Sequence, residues 1–288
     1  MVKTMLEVSL KSSDLLYLSI NLFEIPAPKA VVKIIIGLRE HKERYYDFIS
    51  ELNKNGFNVV ISDTRGHGKS VSGNYPLGFI DDYHKLIEDE KVINDYIKSR
   101  YPGLPIYLFG DSLGAEIAQV YLQKYDATIN KLVLCSPFRI GRPNPFIINL
   151  TLKVEGPKKT NSSMQKQIGL DRLEDTIKDL SAREVFKNDT LCNFYYTNGA
   201  IFNLVNLNKE LGNKKAYLKN NLSLPIFMCY GAKDIQSGRE NTQVLINILK
   251  EVGYTDITGL EYPNLFHKIL FEGYHNFIYK DIINFLLK

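Results

Sequence analysis

The chain has little of what marks secreted, membrane-spanning or nucleic-acid-binding proteins. Its 288 residues include only three cysteines, Cys135, Cys192 and Cys229, too few and too scattered to predict a disulfide framework or a metal site. No apolar run reaches the roughly 18 residues that a membrane-spanning helix needs. The N-terminal stretch MVKTMLEVSLKSSD lacks the apolar core of a signal peptide, so the cytoplasm is the expected location.

Charge is present in ordinary amounts and is not clustered. Charged residues make up 24% of the chain and hydrophobic residues 44%, which is typical of a globular protein. The net charge of +4 is spread along the chain without a basic block, so nucleic-acid binding is not expected. The sequence shows no internal repeat, and we predict no cofactor.

The spacing of apolar residues predicts an α/β fold with a mostly parallel central sheet. LLYLSINLF (15–23) alternates apolar and polar residues, which indicates a half-buried, antiparallel strand. AVVKIIIG (30–37) is almost continuously apolar, as expected of a strand buried on both faces. Further predicted strands alternate with predicted helices: strands over 57–63, 105–110 and 129–137, and helices over 43–55, 80–99 and 113–125. This alternation predicts helices on both faces of the sheet.

The alternation breaks after residue 137 and resumes near residue 221. The intervening segment, 138–220, carries prolines and the polar stretch KKTNSS. Strands are then predicted over 224–231 and 257–262, with helices over 238–252 and about 272–287. We therefore expect one α/β core formed by residues 1–137 and 221–288. The segment 138–220 is expected to form a helical cap over the carboxyl ends of the strands, where open parallel sheets bind ligands.

The stretch LFGDSLGAEIAQ (108–119) places Ser112 between two glycines at the end of a predicted strand. GDSLG fits the pattern G-x-S-x-G, and a predicted helix follows it, as a nucleophile elbow requires. Glycine on both sides lets the serine backbone adopt an unfavourable conformation without side-chain clashes. The alternative is a glycine-rich turn with a serine that has no chemical role.

A serine nucleophile needs a base and an acid, which in this arrangement follow it in the order Asp or Glu, then His. Asp234 ends the stretch GAKD (231–234), in the loop after the predicted strand 224–231, and His267 lies between the last strand and the last helix. Both positions are expected at the same rim of the sheet as Ser112. Glu240 is the rival acid, although it lies further into the next helix. The other histidines are less suited as the base, since three precede the serine and one falls in the last helix: His41, His67, His84 and His275.

At these residues the chain resembles the monoacylglycerol lipase and lysophospholipase group of α/β-hydrolases, a family also labelled serine aminopeptidase-like. IGLREHKERY (36–45) is similar to the family's HGxxEHxxRY, and DTRGHGKS (63–70) matches its DxRGHGxS in full. GAKD (231–234) and FHKILFE (266–272) resemble its acid and base segments, and KNDTLCNFYYTNGA (187–200) resembles its cap. The resemblance covers almost the whole chain.

The resemblance implies roles for individual residues. Ser112 would be the nucleophile, Asp234 the acid and His267 the base. The backbone N–H groups of Leu38 and Leu113 would form the oxyanion hole, and His67 would shape a loop by hydrogen bonding.

The sequence departs from the family pattern at two positions near the predicted site. Ile36 stands where the family has the histidine of its oxyanion His-Gly pair, and Asp111 stands where it has a histidine before the nucleophile. A carboxylate at position 111 is expected to raise the pKa of His267 if the two side chains are close.

These observations favour a serine esterase that acts on a small acyl ester or lipid, such as a monoacylglycerol, a lysophospholipid or a shorter ester. The apolar segments 144–152 and 200–207 are candidates for lining an acyl pocket, for contacting a lipid surface, or for packing on the core. An aminopeptidase is the second hypothesis, with Glu174, Asp175 and Glu184 as candidates to hold a free amine. A non-catalytic binding protein is the third hypothesis. It is considered because Ile36 stands where the family has the histidine of its oxyanion His-Gly pair.

Overall fold

The computed structural model describes residues 4–137, 144–167, 176–273 and 275–288, and these contain one eight-stranded sheet. The strands are Thr4–Lys11 (β1), Tyr17–Glu24 (β2), Ala30–Ile35 (β3), Phe57–Ser62 (β4), Ile106–Asp111 (β5), Lys131–Cys135 (β6), Ile226–Gly231 (β7) and Ile257–Tyr262 (β8). They lie in the order β1-β2-β4-β3-β5-β6-β7-β8. β1 pairs antiparallel with β2 and β2 with β4, whereas every other neighbouring pair is parallel. The prediction of a mostly parallel sheet is therefore confirmed.

Two features of the antiparallel edge differ from the sequence-based expectation. No strand is predicted before residue 15, but β1 runs along β2 with Val8 opposite Ile20. β2 was expected to be half-buried, yet Ser19 and Asn21 on its polar face are also buried. Each makes a hydrogen bond there: Lys42 Nζ donates to Ser19 Oγ (2.7 Å), and Asn21 Nδ2 donates to Tyr46 Oη (2.7 Å).

Helices cover both faces of the sheet. Those in the described residues are Tyr46–Lys54 (α1), Tyr83–Arg100 (α2), Leu113–Tyr125 (α3), Pro145–Glu155 (α4), Ser162–Gln167 (α5), Leu180–Asn188 (α6), Asn198–Glu210 (α7), Arg239–Val252 (α8) and His275–Leu287 (α9). Successive residues of β5 point to opposite faces, so Leu108 packs in the apolar cluster that includes α2, α3, α7 and α8, whereas Phe109 packs in the one that includes α1 and α9. Both faces of the sheet are therefore buried.

Helix boundaries differ from the predicted ones by a few residues. α2 begins at Tyr83 rather than near residue 80, because the side chain of Asp82 accepts the N–H of His84 and caps the helix. The predicted helix over 43–55 is a 3-10 turn, Lys42–Tyr45, followed by α1. Residues 272 and 273 are not helical, and α9 is described from His275 onward.

Helices α4 to α7 lie in the chain between β6 and β7, within the segment predicted as a cap. Within the ranges described above, no helix is both long and apolar enough to cross a membrane. The three cysteines are free thiols, and all are buried.

Candidate active site

Ser112 occupies a strained turn between β5 and α3. Its φ of 53° lies in the region that favours glycine, so a serine there is held by its surroundings. The flanking glycines are needed for close backbone contacts. A Cβ on Gly114 would lie 2.1 Å from the carbonyl oxygen of Ile35, and one on Gly110 would lie 2.3 Å from that of Gly114. The G-x-S-x-G pattern thus allows β5, α3 and the loop after β3 to meet at one point.

A chain of hydrogen bonds joins the three residues that the sequence placed at strand ends. Ser112 Oγ lies 2.8 Å from His267 Nε2, and His267 Nδ1 lies 2.7 Å from Asp234 Oδ2. An ionised carboxylate can only accept, so the imidazole hydrogen sits on Nδ1. Nε2 therefore presents its lone pair to the serine hydroxyl, which is the arrangement that a general base requires.

Asp234 is held in its ionised form by the atoms around it. Burial acts to raise its pKa, but the charge and hydrogen bond of His267 and two backbone N–H groups outweigh burial and lower the pKa. Those N–H groups belong to Gln236 (2.8 Å) and Ser237 (2.9 Å), and both donate to Oδ1. The rival acid, Glu240, is exposed in the first turn of α8.

The other histidines have partners elsewhere or lie apart from Ser112. His41 Nε2 is 2.7 Å from Asp189 Oδ2, and His84 is exposed beside Asp82. His67 is buried, with its ring nitrogens 2.6 Å from Tyr196 Oη and 3.1 Å from the carbonyl oxygen of Arg65. The side chain of His275 lies outside the described residues.

The three hydrogen-bonded side chains are sheltered from solvent. Ser112 and His267 are each only 3% exposed, and Asp234 is also buried. Charges interact more strongly in such a water-poor environment than at a surface. The site is therefore suited to stabilising charge that develops during a reaction.

The loop after β3 is fixed on both sides of Leu38. The N–H of Gly37 donates to Tyr45 Oη (2.9 Å), and the N–H of Arg39 donates to Tyr196 Oη (3.1 Å). Within the described parts of the chain, no acceptor is bonded to the N–H of Leu38 or to that of Leu113. Because Gly114 packs on the carbonyl groups of Ile35 and Ile36, this loop lies against the first turn of α3. Ile36 itself is a buried core residue.

Asp111 is bonded to a buried network that the sequence did not indicate. Tyr45 Oη lies 2.9 Å from Asp111 Oδ2 and also donates to Glu40, which pairs with the ammonium group of Lys268. Asp111 precedes the serine, Lys268 follows the histidine and Glu40 lies in the loop after β3. Burial and the charge of Glu40 raise the pKa of Asp111 to about 6, against the opposing charges of Lys268 and His267.

Asp111→Asn is expected to gain stability relative to wild type as the pH rises from about 4 to about 6. The folded-state pKa of Asp111 lies above the ordinary value of 3.8, so wild type loses stability as the pH rises through this interval. The shift corresponds to about 3 kcal/mol, and asparagine, which stays uncharged, avoids that loss. Urea unfolding across this range measures the difference in unfolding free energy between variant and wild type.

The matched control for this measurement is Asp256→Asn, which alters an exposed carboxyl group. The difference in unfolding free energy between this variant and wild type is expected to change little over the same pH interval. If the difference for Asp111→Asn were equally independent of pH, Asp111 would not be the buried, proton-binding carboxyl group described above.

One group of potential metal ligands occurs in the described residues. His41, Asp189 and Cys192 place one donor atom each within 4.8 Å of one another. Burial raises the pKa of the Cys192 thiol to about 12, so it keeps its proton at neutral pH. His41 Nε2 is hydrogen-bonded to Asp189 Oδ2 (2.7 Å), and Asp189 also accepts the N–H of Leu191 (2.9 Å). Hydrogen bonds thus account for the geometry without a metal.

The acidic residues considered for an aminopeptidase do not form a described cluster. Glu184 is exposed on α6, and its Oε1 lies 3.4 Å from Lys187 Nζ. Glu174 and Asp175 lie outside the described residues.

Comparisons with known proteins agree with the resemblance found in the sequence. A family profile described as "Serine aminopeptidase, S33" matches residues 26–273. A "Monoglyceride lipase homolog" of Monkeypox virus is 33% identical over 142 residues, which cover 49% of this chain and 50% of that protein. This chain thus aligns with about half the length of that relative. A "Monoacylglycerol lipase" of Mycolicibacterium smegmatis is 22% identical over 265 residues, covering 90% of this chain and 89% of the relative.

A solved structure shares the fold over nearly the full length. The thermostable carboxyl esterase from Bacillus coagulans superposes with a TM-score of 0.86 at 22% identity, covering 99% of both chains. The sequence-based assignment of an α/β-hydrolase fold is thereby confirmed.

Proposed function

Because the chain belongs to the serine aminopeptidase S33 family of α/β-hydrolases, we propose that it hydrolyses carboxylic esters, with Ser112 as nucleophile, His267 as base and Asp234 as the orienting acid. The observation that carries the proposal is the unbroken chain from Ser112 Oγ through the imidazole to Asp234, with bonds of 2.8 and 2.7 Å. A serine that merely filled a glycine-rich turn would need neither partner.

The geometry supports a two-step reaction through an acyl-enzyme. Ser112 Oγ attacks the acyl carbon while its proton passes to His267 Nε2. His267 then gives that proton to the oxygen of the leaving alcohol, and the acyl group stays on Ser112. A water molecule, deprotonated by His267, attacks the acyl-enzyme, which releases the carboxylic acid and restores the serine.

The N–H groups of Leu38 and Leu113 are proposed to bind the oxyanion. Leu38 is held between two anchored neighbours, Gly37 and Arg39, and Leu113 begins α3, whose N-terminal end carries a partial positive charge. Each such donor contributes about 3–4 kcal/mol to transition-state stabilisation. Ile36 does not prevent this role, since the donors are main-chain groups.

The proposed substrate is an ester with an apolar acyl group: a monoacylglycerol, a lysophospholipid or a shorter ester. Support comes from the names of the relatives, which include a monoacylglycerol lipase, and from the apolar residues of α4 and α7. We propose that residues 138–220, which contain these helices, form a cap over the site, between core parts 1–137 and 221–288.

The outer face of α4 is the proposed contact with a lipid surface. Phe146, Leu150 and Val154 are four residues apart, so they share one face, and they are 71%, 48% and 73% exposed. Three exposed lysines lie near these side chains in the sequence: Lys153, Lys158 and Lys159. Apolar side chains flanked by basic ones suit an anionic membrane surface.

Changing both Phe146 and Leu150 to serine is expected to weaken binding to vesicles that contain phosphatidylglycerol by at least about tenfold. Burying each of these side chains in lipid contributes about 1.5–3 kcal/mol, which serine cannot supply. Co-sedimentation measures the bound fraction. Leu218→Ser, which removes an exposed leucine elsewhere, is the control and should bind like wild type. Equal binding by all three proteins would reject α4 as the contact.

A fluorophosphonate probe and a small substrate panel test the proposed activity. Labelling of wild type that is lost in Ser112→Ala supports a serine hydrolase, whereas a folded wild type that stays unlabelled supports a binding protein. Esters of graded chain length, compared with an aminoacyl anilide, then separate an esterase from an aminopeptidase. We expect ester hydrolysis to exceed anilide hydrolysis.

A further inference from the structure

We propose that Ser237 is a positioning residue for His267: its hydroxyl, tied to the carbonyl group of Ser136, offers the imidazole an acceptor oxygen and favours the tautomer with hydrogen on Nδ1. The inference rests on the proposed function and deepens it. It concerns how the base is held in the reactive tautomer. It also assigns a role to two serines that neither the sequence pattern nor the proposed triad includes.

The chemistry of the two partners of the Ser237 hydroxyl determines the direction of each hydrogen bond. Ser237 Oγ lies 3.1 Å from the carbonyl oxygen of Ser136 and 3.1 Å from His267 Nδ1. A hydroxyl group has one hydrogen, and a carbonyl oxygen can only accept, so that hydrogen points to Ser136. The lone pairs of Ser237 Oγ therefore face Nδ1. The Nδ1 hydrogen is shared between two acceptors, Asp234 Oδ2 at 2.7 Å and Ser237 Oγ at 3.1 Å.

Ser237 has little freedom to turn away from this arrangement. Its side chain is fully buried, and its own N–H donates to Asp234 Oδ1 (2.9 Å). It thus touches both members of the Asp234–His267 pair. If its hydroxyl were free to rotate, it could donate to Nδ1 and stabilise the opposite tautomer, in which Nε2 carries hydrogen and cannot take the proton of Ser112. The bond to Ser136 disfavours that rotation.

Ser136 holds the main chain of the same histidine. It follows β6 with a φ of 44°, which is unfavourable for a residue with a side chain. Its N–H donates to the carbonyl oxygen of Cys229 (2.7 Å), and its hydroxyl donates to that of His267 (2.5 Å). One strained residue therefore fixes the backbone of His267 with its hydroxyl and fixes Ser237 with its carbonyl group. Strain at such a position persists only where the surrounding contacts maintain it.

The arrangement has a chemical consequence during turnover. When His267 takes the proton of Ser112, the ring becomes positively charged, and an acceptor oxygen beside Nδ1 stabilises that charge. In the described part of the chain, the charged groups near the ring are Asp234 in the loop after β7, Asp111 at the end of β5, and Lys268, which is paired with Glu40. None of them changes when Ser237 is replaced. Loss of the Ser237 hydroxyl should therefore destabilise the charged ring selectively.

Ser237→Ala is expected to lower kcat about tenfold, to leave KM within about twofold, and to move the acid limb of the pH–rate profile to lower pH. Ser237→Thr, which keeps the hydroxyl, should recover at least part of kcat and return the acid limb toward wild type. Ser237→Cys, close in size to serine but a weak acceptor, should behave like the alanine variant. An unchanged pH profile in Ser237→Ala, or a rise in KM alone, would overturn the proposal.

Nitrogen-15 NMR of the histidine side chains provides a readout that does not depend on turnover. His267→Gln identifies the signals of His267 among the five histidines. Wild type should show hydrogen on Nδ1, and Ser237→Ala should show a greater share of the Nε2 tautomer. Identical tautomer signals in the two proteins would contradict the role of Ser237. Failure of the proposed function would instead appear as absent ester hydrolysis and probe labelling in wild type, whatever the NMR result.

Discussion

Replacing Ser112 by alanine is expected to lower kcat for hydrolysis of p-nitrophenyl butyrate by about 10⁶-fold, the scale seen when a serine protease loses its nucleophile. The reaction as proposed forms a covalent bond to Ser112 Oγ, so no neighbouring group can replace it. The measurement is a steady-state assay on purified wild type and variant, with circular dichroism to show that the variant is folded. The removed hydroxyl contributes one hydrogen bond, to His267 Nε2, so the variant should fold normally.

The same assay on His267→Ala and on the double variant tests whether the two residues act as one unit. His267→Ala should lose nearly as much activity as Ser112→Ala, and the double variant should lose little more, because each change alone already prevents the covalent step. Near-normal rates in either single variant would contradict the assignment of nucleophile and base.

Asp234→Asn is expected to lower kcat by about 10⁴-fold through a change of tautomer, by analogy with the orienting aspartate of serine proteases. The two backbone N–H groups of Gln236 and Ser237 require an acceptor at Oδ1, so the asparagine oxygen should occupy that position. Its amide group then points at His267 Nδ1 and donates to it, which places the ring hydrogen on Nε2. In that state the imidazole cannot accept the proton of Ser112.

Glu240→Gln is the matched control, because it neutralises the rival carboxylate in the same stretch of chain. We expect kcat close to wild type for it, since Glu240 is exposed at the start of α8. The assignment of the acid would fail if Asp234→Asn retained more than about a tenth of the wild-type rate, or if Glu240→Gln showed the larger loss.

The elements that agree with the sequence-based prediction are those with a strong local signal. The continuous apolar run at 30–37 corresponds to β3, and the predicted helix over 113–125 corresponds to α3. Strand β1 was not predicted, although LEVSLK (6–11) alternates apolar and polar residues, and the polar face of β2 was expected to meet solvent. That face is covered by residues of the segment after β3: Lys42 donates a hydrogen bond to Ser19, and Tyr46 accepts one from Asn21.

The predicted site residues carry a local sequence signal, whereas the residues that support them do not. Ser112, Asp234 and His267 were found from a glycine pattern, their order and their positions at strand ends. Tyr45 was present in the family-like stretch IGLREHKERY, but nothing in the stretch shows that its hydroxyl lies between Gly37, Glu40 and Asp111. The hydroxyl groups of Ser136 and Ser237 gave no signal at all, because serine is common in loops.

By itself the sequence determined the alternation of strands and helices and the three strand ends that carry the proposed chemistry, because apolar spacing records directly which faces of each element are buried. Only the tertiary structure decided which side chains meet. Ser112 and His267 are 155 positions apart, and Ser136 and His267 are 131 apart. Contacts of this kind depend on how loops from four strands pack at one end of the sheet, and a local pattern of residue types holds no information about that packing.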